Sequence, residues 1–572
     1  MANLSRLRRE RMFDFLNNLK VENRHDERIL QSIAEIENEL NEKKYGLVWE
    51  EHSEQVDEMM VDNVPIFLED KSREIARAGD NKYNFLIEGD NLHSLMLLDK
   101  THHESIDVIY IDPPYNTGKE FVYDDNMVGE DDGFKHSKYA SFMYRRLAKA
   151  KELLADTGVI FISIDDYEMT QLKLLCDSIF GDENCLGVLP TIMNLKGNQD
   201  EFGFAGTHEY TLVYAKSKSQ CLLGQFPVDD EEVESQWEQD DIGYFKKGAN
   251  LKSTGVNAPR RKRPNLYYPF YIKEDEAGEI TWSLDESFGG TAVYPITNGE
   301  EMSWRWQKKT VKAQSYDIII TKTGDGYSIY KKQRPGLGDL PTKKPKSIFY
   351  KAEYSSGNGT AQLKDIFKEK VFNNPKPIDL IKDFITIGST KKDAIILDFF
   401  AGSGTTAQAV LALNEEDNGN RKFIICTNNE STNNGLGICE SVTYPRVKTV
   451  ITGFRPDGSK YSNGIPANFK YYKTEFVAKD SETFVDDLIA HTDEMIQLEY
   501  GVQIDKDKYI SILTDEEANE LFENWDKYPN IKAIYVSRHV ILNAEQRKLF
   551  HTKGVYIIPD YYYREELREV GE

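Results

Sequence analysis

From about residue 83 the chain alternates short β-branched runs with segments of helical spacing. NFLIEGD, IDVIYID, GVIFISID and EYTLVYAK each predict a buried strand, and SLMLLDK, YASFMYRRLAKAKELL and MTQLKLLCDSIF, set between them, predict helices. Strands that alternate with helices predict a parallel sheet covered on both faces. The rhythm stops near 220. Residues 226 to about 358 are rich in Gly, Pro, Lys and aromatics and show no period. It then resumes with PIDLIKDFITIG (helix), AIILDFF (strand), TTAQAVLAL (helix) and KFIICTN (strand). The simplest organisation is one α/β domain interrupted by an inserted module. Ahead of it, Leu30, Ile33, Ile36 and Leu40 form one apolar stripe on a helix, read as a packing or dimerising arm. Behind it lies an acidic region with the strand-like runs AIYVS and GVYII. The expected divisions are 1–60, 61–225, 226–358, 359–457 and 458–572.

Composition narrows the class. The 572 residues are 40% hydrophobic and 12% aromatic, enough for several cores. No run approaches the roughly 20 apolar residues of a spanning helix, and the charged N-terminus lacks the apolar stretch of a secretory signal. Five cysteines without a C-x-x-C pair read as reduced thiols of a cytoplasmic protein rather than a disulfide frame or zinc site. No metal-ligand spacing stands out.

Charge changes the picture further. The formal net charge of −25 argues against binding phosphate, but the average hides an asymmetry. Between Lys246 and Lys346 there are 19 Lys and Arg against 11 Asp and Glu, a surplus of +8, so the remainder carries −33. A protein that binds nucleic acid through one region has this distribution. A solvated basic face, or a contact for an acidic partner, has it too.

Two local patterns carry chemistry. Asp112-Pro113-Pro114-Tyr115 directly follows the strand run IDVIYI. In an open parallel sheet ligands bind beyond the carboxyl ends of strands, where this tetrapeptide falls. Two prolines remove two N–H donors and hold the chain extended, which leaves the Asp112 carboxylate and neighbouring carbonyls as rigid acceptors beside a flat Tyr115 face. Such a clamp suits an amino group on an aromatic ring; the alternative is a strand-ending turn with a buried Tyr. The second pattern, Asp398-Phe399-Phe400-Ala401-Gly402-Ser403-Gly404-Thr405-Thr406, runs strand, Gly-rich turn, helix. It is neither G-x-G-x-x-G nor a phosphate loop, yet its helix start offers N–H donors. Glu430, after the next strand, is placed to hold ribose hydroxyls. Together these two features indicate an adenosine-containing cofactor. Asp90 can accept from an adenine amino group or cap the following helix. His208-Glu209, ahead of TLVYAK, leaves a similar choice open.

Taken together, these residues resemble the S-adenosylmethionine-dependent DNA amino-methyltransferases. YIDPPYNTG is similar to their motif IV and LDFFAGSGTT to their motif I, here in the circularly permuted β-class order. Runs from KYGLVWEEH through HSKYASFM, FISIDDYE and HEYTLVYAK, then RPNLYYPFY, SWRW, KKPKSIF and FNNPKPIDLIK, resemble the modification (Mod) subunits of type III restriction–modification systems over residues 45 to 455 or so. The resemblance implies an α/β fold: a Rossmann-like, circularly permuted methyltransferase sheet with an inserted target-recognition domain and a C-terminal α/β domain. It implies adenine-N6 methylation of double-stranded DNA, with S-adenosyl-L-methionine as cofactor. Asp112, Pro113, Pro114 and Tyr115 would be catalytic, with Asp112 and the Pro113 carbonyl gripping the amine of a flipped base stacked on Tyr115.

For the cofactor, the resemblance places Phe399, Gly402, Ser403 and Gly404 beside the methionine part, and Asp398 within the same motif. Glu430 falls at the ribose and Asp90 at the adenine. Thr405, Thr406 and the segment Asn374-Pro375-Lys376-Pro377 line the methionine end, so Lys376 counts among the cofactor residues. Arg260, Arg261, Lys262, Arg263, Lys343, Lys344 and Lys346 are candidate DNA phosphate contacts. Trp304, Arg305 and Trp306 either read bases or pack. A Mod homodimer and a restriction (Res) helicase–nuclease subunit are the implied partners, with no membrane. The alternatives are a solitary DNA adenine methyltransferase and a recognition scaffold without turnover.

Overall fold

The structure, a computed structural model, describes the chain apart from residues 1–3, 23, 25, 42–48, 50, 51, 53, 78, 80, 81, 117–134, 198–202, 229, 325, 336–340, 430–436, 560, 561 and 563–572. The chain forms two compact units, one of residues 1–223 with 347–572 and one of residues 224–346.

The first unit is built on a ten-stranded sheet. Its main strands are β1 (Asn63–Glu69), β2 (Tyr83–Glu88), β3 (Ile106–Ile111), β4 (Leu154–Ile164), β5 (Cys185–Ile192), β6 (His208–Ala215), β7 (Ile395–Asp398), β8 (Lys422–Thr427) and β9 (Asn468–Ala478). They lie in the order β1-β9-β2-β8-β7-β3-β4-β6-β5. From β9 to β4 every neighbour is parallel; β1, β6 and β5 are antiparallel to their neighbours. All six residues of β3 are buried, as a strand covered on both faces requires. Each such Ile or Val contributes about 1.5–3 kcal/mol by leaving water.

Helices α3 (Asn91–His102), α4 (Lys135–Leu153) and α5 (Met169–Phe180) pack in succession. Helix α7 (Ile378–Gly388) packs on β3 and β4 through Phe384, which stacks on Tyr110 and Phe161. It also packs against α8 (Thr405–Asp417). The N-terminal stripe lies on α2 (Glu27–Asn41), which packs on α1 (Leu4–Glu22). There Ile33 is buried and Ile36 exposed, while the Leu40 side chain lies outside the described residues.

The topology fixes a crevice. From β3 the chain moves outward to β4, and from β7 it moves the opposite way to β8, although β3 and β7 are hydrogen-bonded neighbours. Their carboxyl ends therefore flank a switch point, where open α/β sheets hold ligands.

Two expected boundaries move. The inserted unit ends at residue 346 rather than 358. Phe349 bonds to Pro190 and Ile192 beside β5, and residues 356–367 form α6 (Ser356–Phe367) of the first unit. The region after 458 is also not wholly separate, because β9 is inserted between β1 and β2. Further on, Tyr509–Ile512, Ala533–Ser537 and Gly554–Ile558 form a three-stranded parallel sheet with its own core, including Ile512, Ile534 and Phe550. All five cysteines are free.

The second unit holds a four-stranded antiparallel sheet and smaller sheets around Tyr268, Phe270, Ile272 and Trp304. Its two ends meet in a short antiparallel pair, Phe226 opposite Lys343 and Pro227 opposite Thr342.

Candidate active site

Asp112 and Gly402, expected to share a site, both line one cavity of about 740 Å³. Pro113, Pro114 and Tyr115 line it from the β3 end, and Phe400 from the β7 end. Asp165, just past β4, and Thr427, at the end of β8, also border it. The switch point of the sheet is thus open space.

The β3 side is an ionic cluster. The Tyr115 hydroxyl donates to Asp112 Oδ1 at 2.7 Å. Lys376 Nζ lies 2.6 Å from that hydroxyl, 3.2 Å from Asp112 Oδ1, and 2.8 and 2.7 Å from the two oxygens of Glu209. The Lys376 and Glu209 side chains are 8% and 11% exposed, Asp112 28%. Burial works against the Lys376 charge, but Asp112 and Glu209 outweigh it and hold the ammonium above its ordinary range. Burial pushes Glu209 up, with Lys376 opposing. Burial together with Asp112 and Glu209 raises the Tyr115 hydroxyl, so it remains a donor. Burial also pushes Asp165 up to about 6.

The residue after the tetrapeptide completes its hold. Asn116 adopts φ 55°, and its amide donates to the buried Glu168 carboxylate at 2.5 Å, which also meets His136 Nδ1 at 2.8 Å. Asparagine is among the few residues that tolerate this left-handed conformation.

The β7 side is a tight turn. Gly402 and Gly404 have φ 47° and 78°, conformations that glycine adopts without cost. Asp398 ties the turn from inside, accepting from Phe400 N at 3.0 Å and from Thr406 Oγ1 at 2.5 Å. Its burial pushes its pKa up to about 7. Behind the turn, fully buried Arg446 donates to Ser403 Oγ at 3.0 Å, Thr405 Oγ1 at 2.8 Å and Gln408 Oε1 at 2.8 Å.

Several expected site residues are placed elsewhere. Phe399 packs in the core with its carbonyl bound by Asn91, and its neighbour Phe400, the next residue of the turn, takes the cavity position. Asp90 caps α3, accepting from Leu92 N at 2.7 Å, and does not line the cavity. Asp398, Ser403, Thr405 and Thr406 are buried within the turn, leaving Gly402 as its lining residue. The Lys376 side chain reaches the tetrapeptide, and its backbone carbonyl accepts from Thr405 Oγ1 of the helix after the glycine turn. Glu430 lies outside the described residues. The sequence leaves the role of Glu209 open; its one signal is its place beside His208 at the start of the strand run HEYTLVYA.

In the second unit, Trp304 is 2% exposed and donates from Nε1 to the Tyr268 carbonyl at 2.7 Å, so it is core rather than a base reader. Trp306 packs against the same core, while Arg305 is exposed. Arg260 through Arg263 and Lys343, Lys344 and Lys346 are exposed. Arg260 is paired with Glu301 at 2.8 Å and Lys343 with Glu232 at 3.4 Å. Among the described residues no group of His, Cys, Asp and Glu could hold a metal ion.

Comparison with known proteins agrees with this geometry. Residues 106–434 match the family model described as DNA methylase. The chain is 40% identical to the Mod subunit of the type III restriction–modification enzyme EcoPI of Escherichia phage P1, over 88% of this chain and 80% of that protein. It is 35% identical to the type II methyltransferase M.KpnI of Klebsiella pneumoniae, over 70% of this chain and 92% of that protein. The Mod subunit of EcoP15I from Escherichia coli is 29% identical over 81% and 78%. The chain belongs to the DNA methylase family, in the branch that includes the Mod subunits of type III restriction–modification enzymes.

Proposed function

We propose that this chain methylates the N6 amine of an adenine flipped out of double-stranded DNA, with S-adenosylmethionine as methyl donor. The observation that carries the reading is the single cavity between the acceptor group of Asp112 and the turn at Gly402. Its volume lies in the usual range for a ligand of this size. The glycine turn, the Phe400 face and the start of α8 suit a nucleoside bearing a short charged tail. When bound, S-adenosylmethionine supplies an electrophilic methyl on a sulfonium.

The residues of the chain do the rest by positioning and charge. The described contacts of Asp112 fall on Oδ1, which leaves Oδ2 to accept one N–H of the adenine amine, with the Pro113 carbonyl accepting the other. Gripped in this way, the nitrogen lone pair is freed from the ring and directed at the methyl. Methyl transfer would form the N–C bond as the S–C bond breaks, leaving a neutral thioether, and the ammonium proton would pass by way of Asp112 Oδ2 to water. Positive charge moves onto nitrogen during this step. Asp112, Glu209 and Lys376 together carry formal charge −1, which favours the positive charge as it shifts from sulfur toward the nitrogen held at Asp112. Tyr115 presents its ring to the flipped base, which offsets part of the unstacking cost.

The second unit is the target-recognition module in this reading; its cations are concentrated from Lys246 to Lys346, while its acids cluster ahead of them between residues 229 and 241. Arg261, Lys262, Arg263, Lys344 and Lys346 are exposed cations without an acidic partner among the described residues. As a Mod subunit the chain pairs with a second copy and with a Res subunit, on DNA in the cytoplasm. The relative named a type II methyltransferase, matched over 92% of its length, favours a second reading in which the chain methylates DNA without a Res subunit.

The test is tritiated-methyl transfer to mixed-sequence duplex DNA by the purified chain, with nucleoside analysis of the product. Label in N6-methyladenine is expected. Label in cytosine, or none, overturns the proposal.

A further inference from the structure

We propose that Lys376 and Glu209 form a buried positioning pair that holds Asp112 and Tyr115 in register with the glycine turn and keeps the acceptor face at a single negative charge. This rests on the methyl-transfer reading above and adds two residues to its machinery.

The geometry is unusual for a cofactor contact. The Lys376 ammonium has three protons, and within 3.2 Å it meets the Tyr115 hydroxyl, Asp112 Oδ1 and both oxygens of Glu209. A cation so enclosed fixes the side chains around it, because moving any one leaves a buried charge uncompensated. The Tyr115 hydroxyl has one proton, with Asp112 Oδ1 at 2.7 Å as its nearer acceptor and Glu209 Oε2 at 3.2 Å as the second, so its ring orientation is set together with both carboxylates.

Backbone contacts of the same residue reach the other side of the cavity. The Lys376 carbonyl accepts from Thr405 Oγ1 at 3.2 Å, in the first turn of α8 behind Gly402. The next segment is pinned where Gln362 Oε1 accepts from Ile378 N at 3.1 Å. One residue therefore touches both the acceptor of the amine and the turn that faces the methyl donor.

Charge explains why a lysine stands here beside a glutamate. Without the cation, two carboxylates would share a buried site, and one would hold a proton and cease to accept. Without Glu209, Lys376 would neutralise Asp112 outright. With both, the site keeps one negative charge for the nitrogen that becomes positive. Among the described residues the other ionisable groups around the cluster are Tyr110 of β3, Asp165 beyond β4, Asp398 of β7 and His208, which lines the same cavity.

The test compares Lys376→Met, Lys376→Arg, Glu209→Gln and the double variant Lys376→Met/Glu209→Gln in the full chain. The readouts are kcat and KM for DNA across pH, and cofactor affinity by calorimetry. Lys376→Met is expected to lower kcat and to move the acid limb of its pH profile upward by about one unit or more, because Glu209 keeps its proton to higher pH. Glu209→Gln lowers kcat without that upward move. The double variant recovers the acid limb and gains about tenfold in kcat over Lys376→Met. Cofactor affinity stays within about threefold throughout, a difference well under 1 kcal/mol. Lys376→Arg keeps the wild-type limb, and carries the comparison with Glu209→Gln should Lys376→Met fail to fold. Loss of cofactor affinity with an unmoved limb, or a double variant no better than Lys376→Met, overturns the proposal. A wild-type chain that transfers no methyl to DNA instead overturns the function on which it rests.

Discussion

Gly359→Ala sets two physical effects of opposite sign against each other. Gly359 lies inside α6, where alanine normally stabilises a helix by about 0.8–1 kcal/mol over glycine. A Cβ built at this position, however, falls 2.0 Å from the Pro375 carbonyl oxygen and 3.0 Å from the Pro375 and Lys376 carbonyl carbons. These are backbone atoms, so no side chain can swing aside. Restoring an ordinary contact requires the segment at 375–376 to retreat by roughly 1 Å or more, and overpacking of this kind costs about 1–3 kcal/mol. The steric effect wins, and the net result is a loss of up to about 2 kcal/mol.

The same retreat draws Lys376 Nζ from its partners at 2.6–2.8 Å, and a displacement of this size near a reacting centre costs on the order of 100-fold in turnover. Denaturant unfolding and labelled-methyl transfer measure the two effects. DNA affinity, assigned to residues 224–346, should hold. A variant more stable than wild type and equally active refutes the argument that this contact sets the position of Lys376.

Three further outcomes are expected. Tyr115→Ala should lower kcat/KM for DNA by roughly 10- to 100-fold, from base stacking worth about 1–3 kcal/mol, while leaving calorimetric cofactor affinity nearly intact; loss of cofactor binding alone contradicts the assigned role. Replacing Arg261, Lys262 and Arg263 by Gln should reduce the slope of log affinity for DNA against log salt by about 0.9 per lost phosphate contact, and an unchanged slope assigns those charges elsewhere. Asp398, raised to about 7 in the fold, contributes stability fully present below its unfolded value near 4 and lost as pH climbs through 7. The stability of wild type relative to Asp398→Asn should therefore fall between pH 5 and pH 8, and a difference constant with pH removes the claim that its charged form is disfavoured by burial.

Much of this fold is written in local periodicity. The strand runs of the first unit fall where the β-branched residues predict them, because a parallel strand buried on both faces must be apolar throughout. The site was legible where chemistry needs adjacent residues: two prolines after a strand, or two glycines before a helix. It was illegible where partners come from distant segments. Glu209 and Lys376 lie far apart in sequence; each is marked locally, by His208-Glu209 and by Asn374-Pro375-Lys376-Pro377, but nothing local pairs them with each other or with Tyr115. The strand Asn468–Ala478 escaped for a related reason. Its Lys470 is fully buried against Glu69 of β1, so a charge that argues locally for solvent is satisfied only by the sheet. Phe399 and Phe400 show the limit of reading motifs, since only the course of the turn after the strand decides which of two identical rings lines the cavity.

The paired ends of the inserted unit have an evolutionary consequence. Because Phe226–Pro227 and Thr342–Lys343 lie side by side, the stretch between them is cinched at its base like a bag with a drawn neck. Such a stretch can grow, shrink or be exchanged whole while the strands that carry Asp112 and Gly402 keep their register. In the proposed reading, in which this unit recognises the target, a lineage built this way changes the sequences it marks without rebuilding the chemistry that marks them.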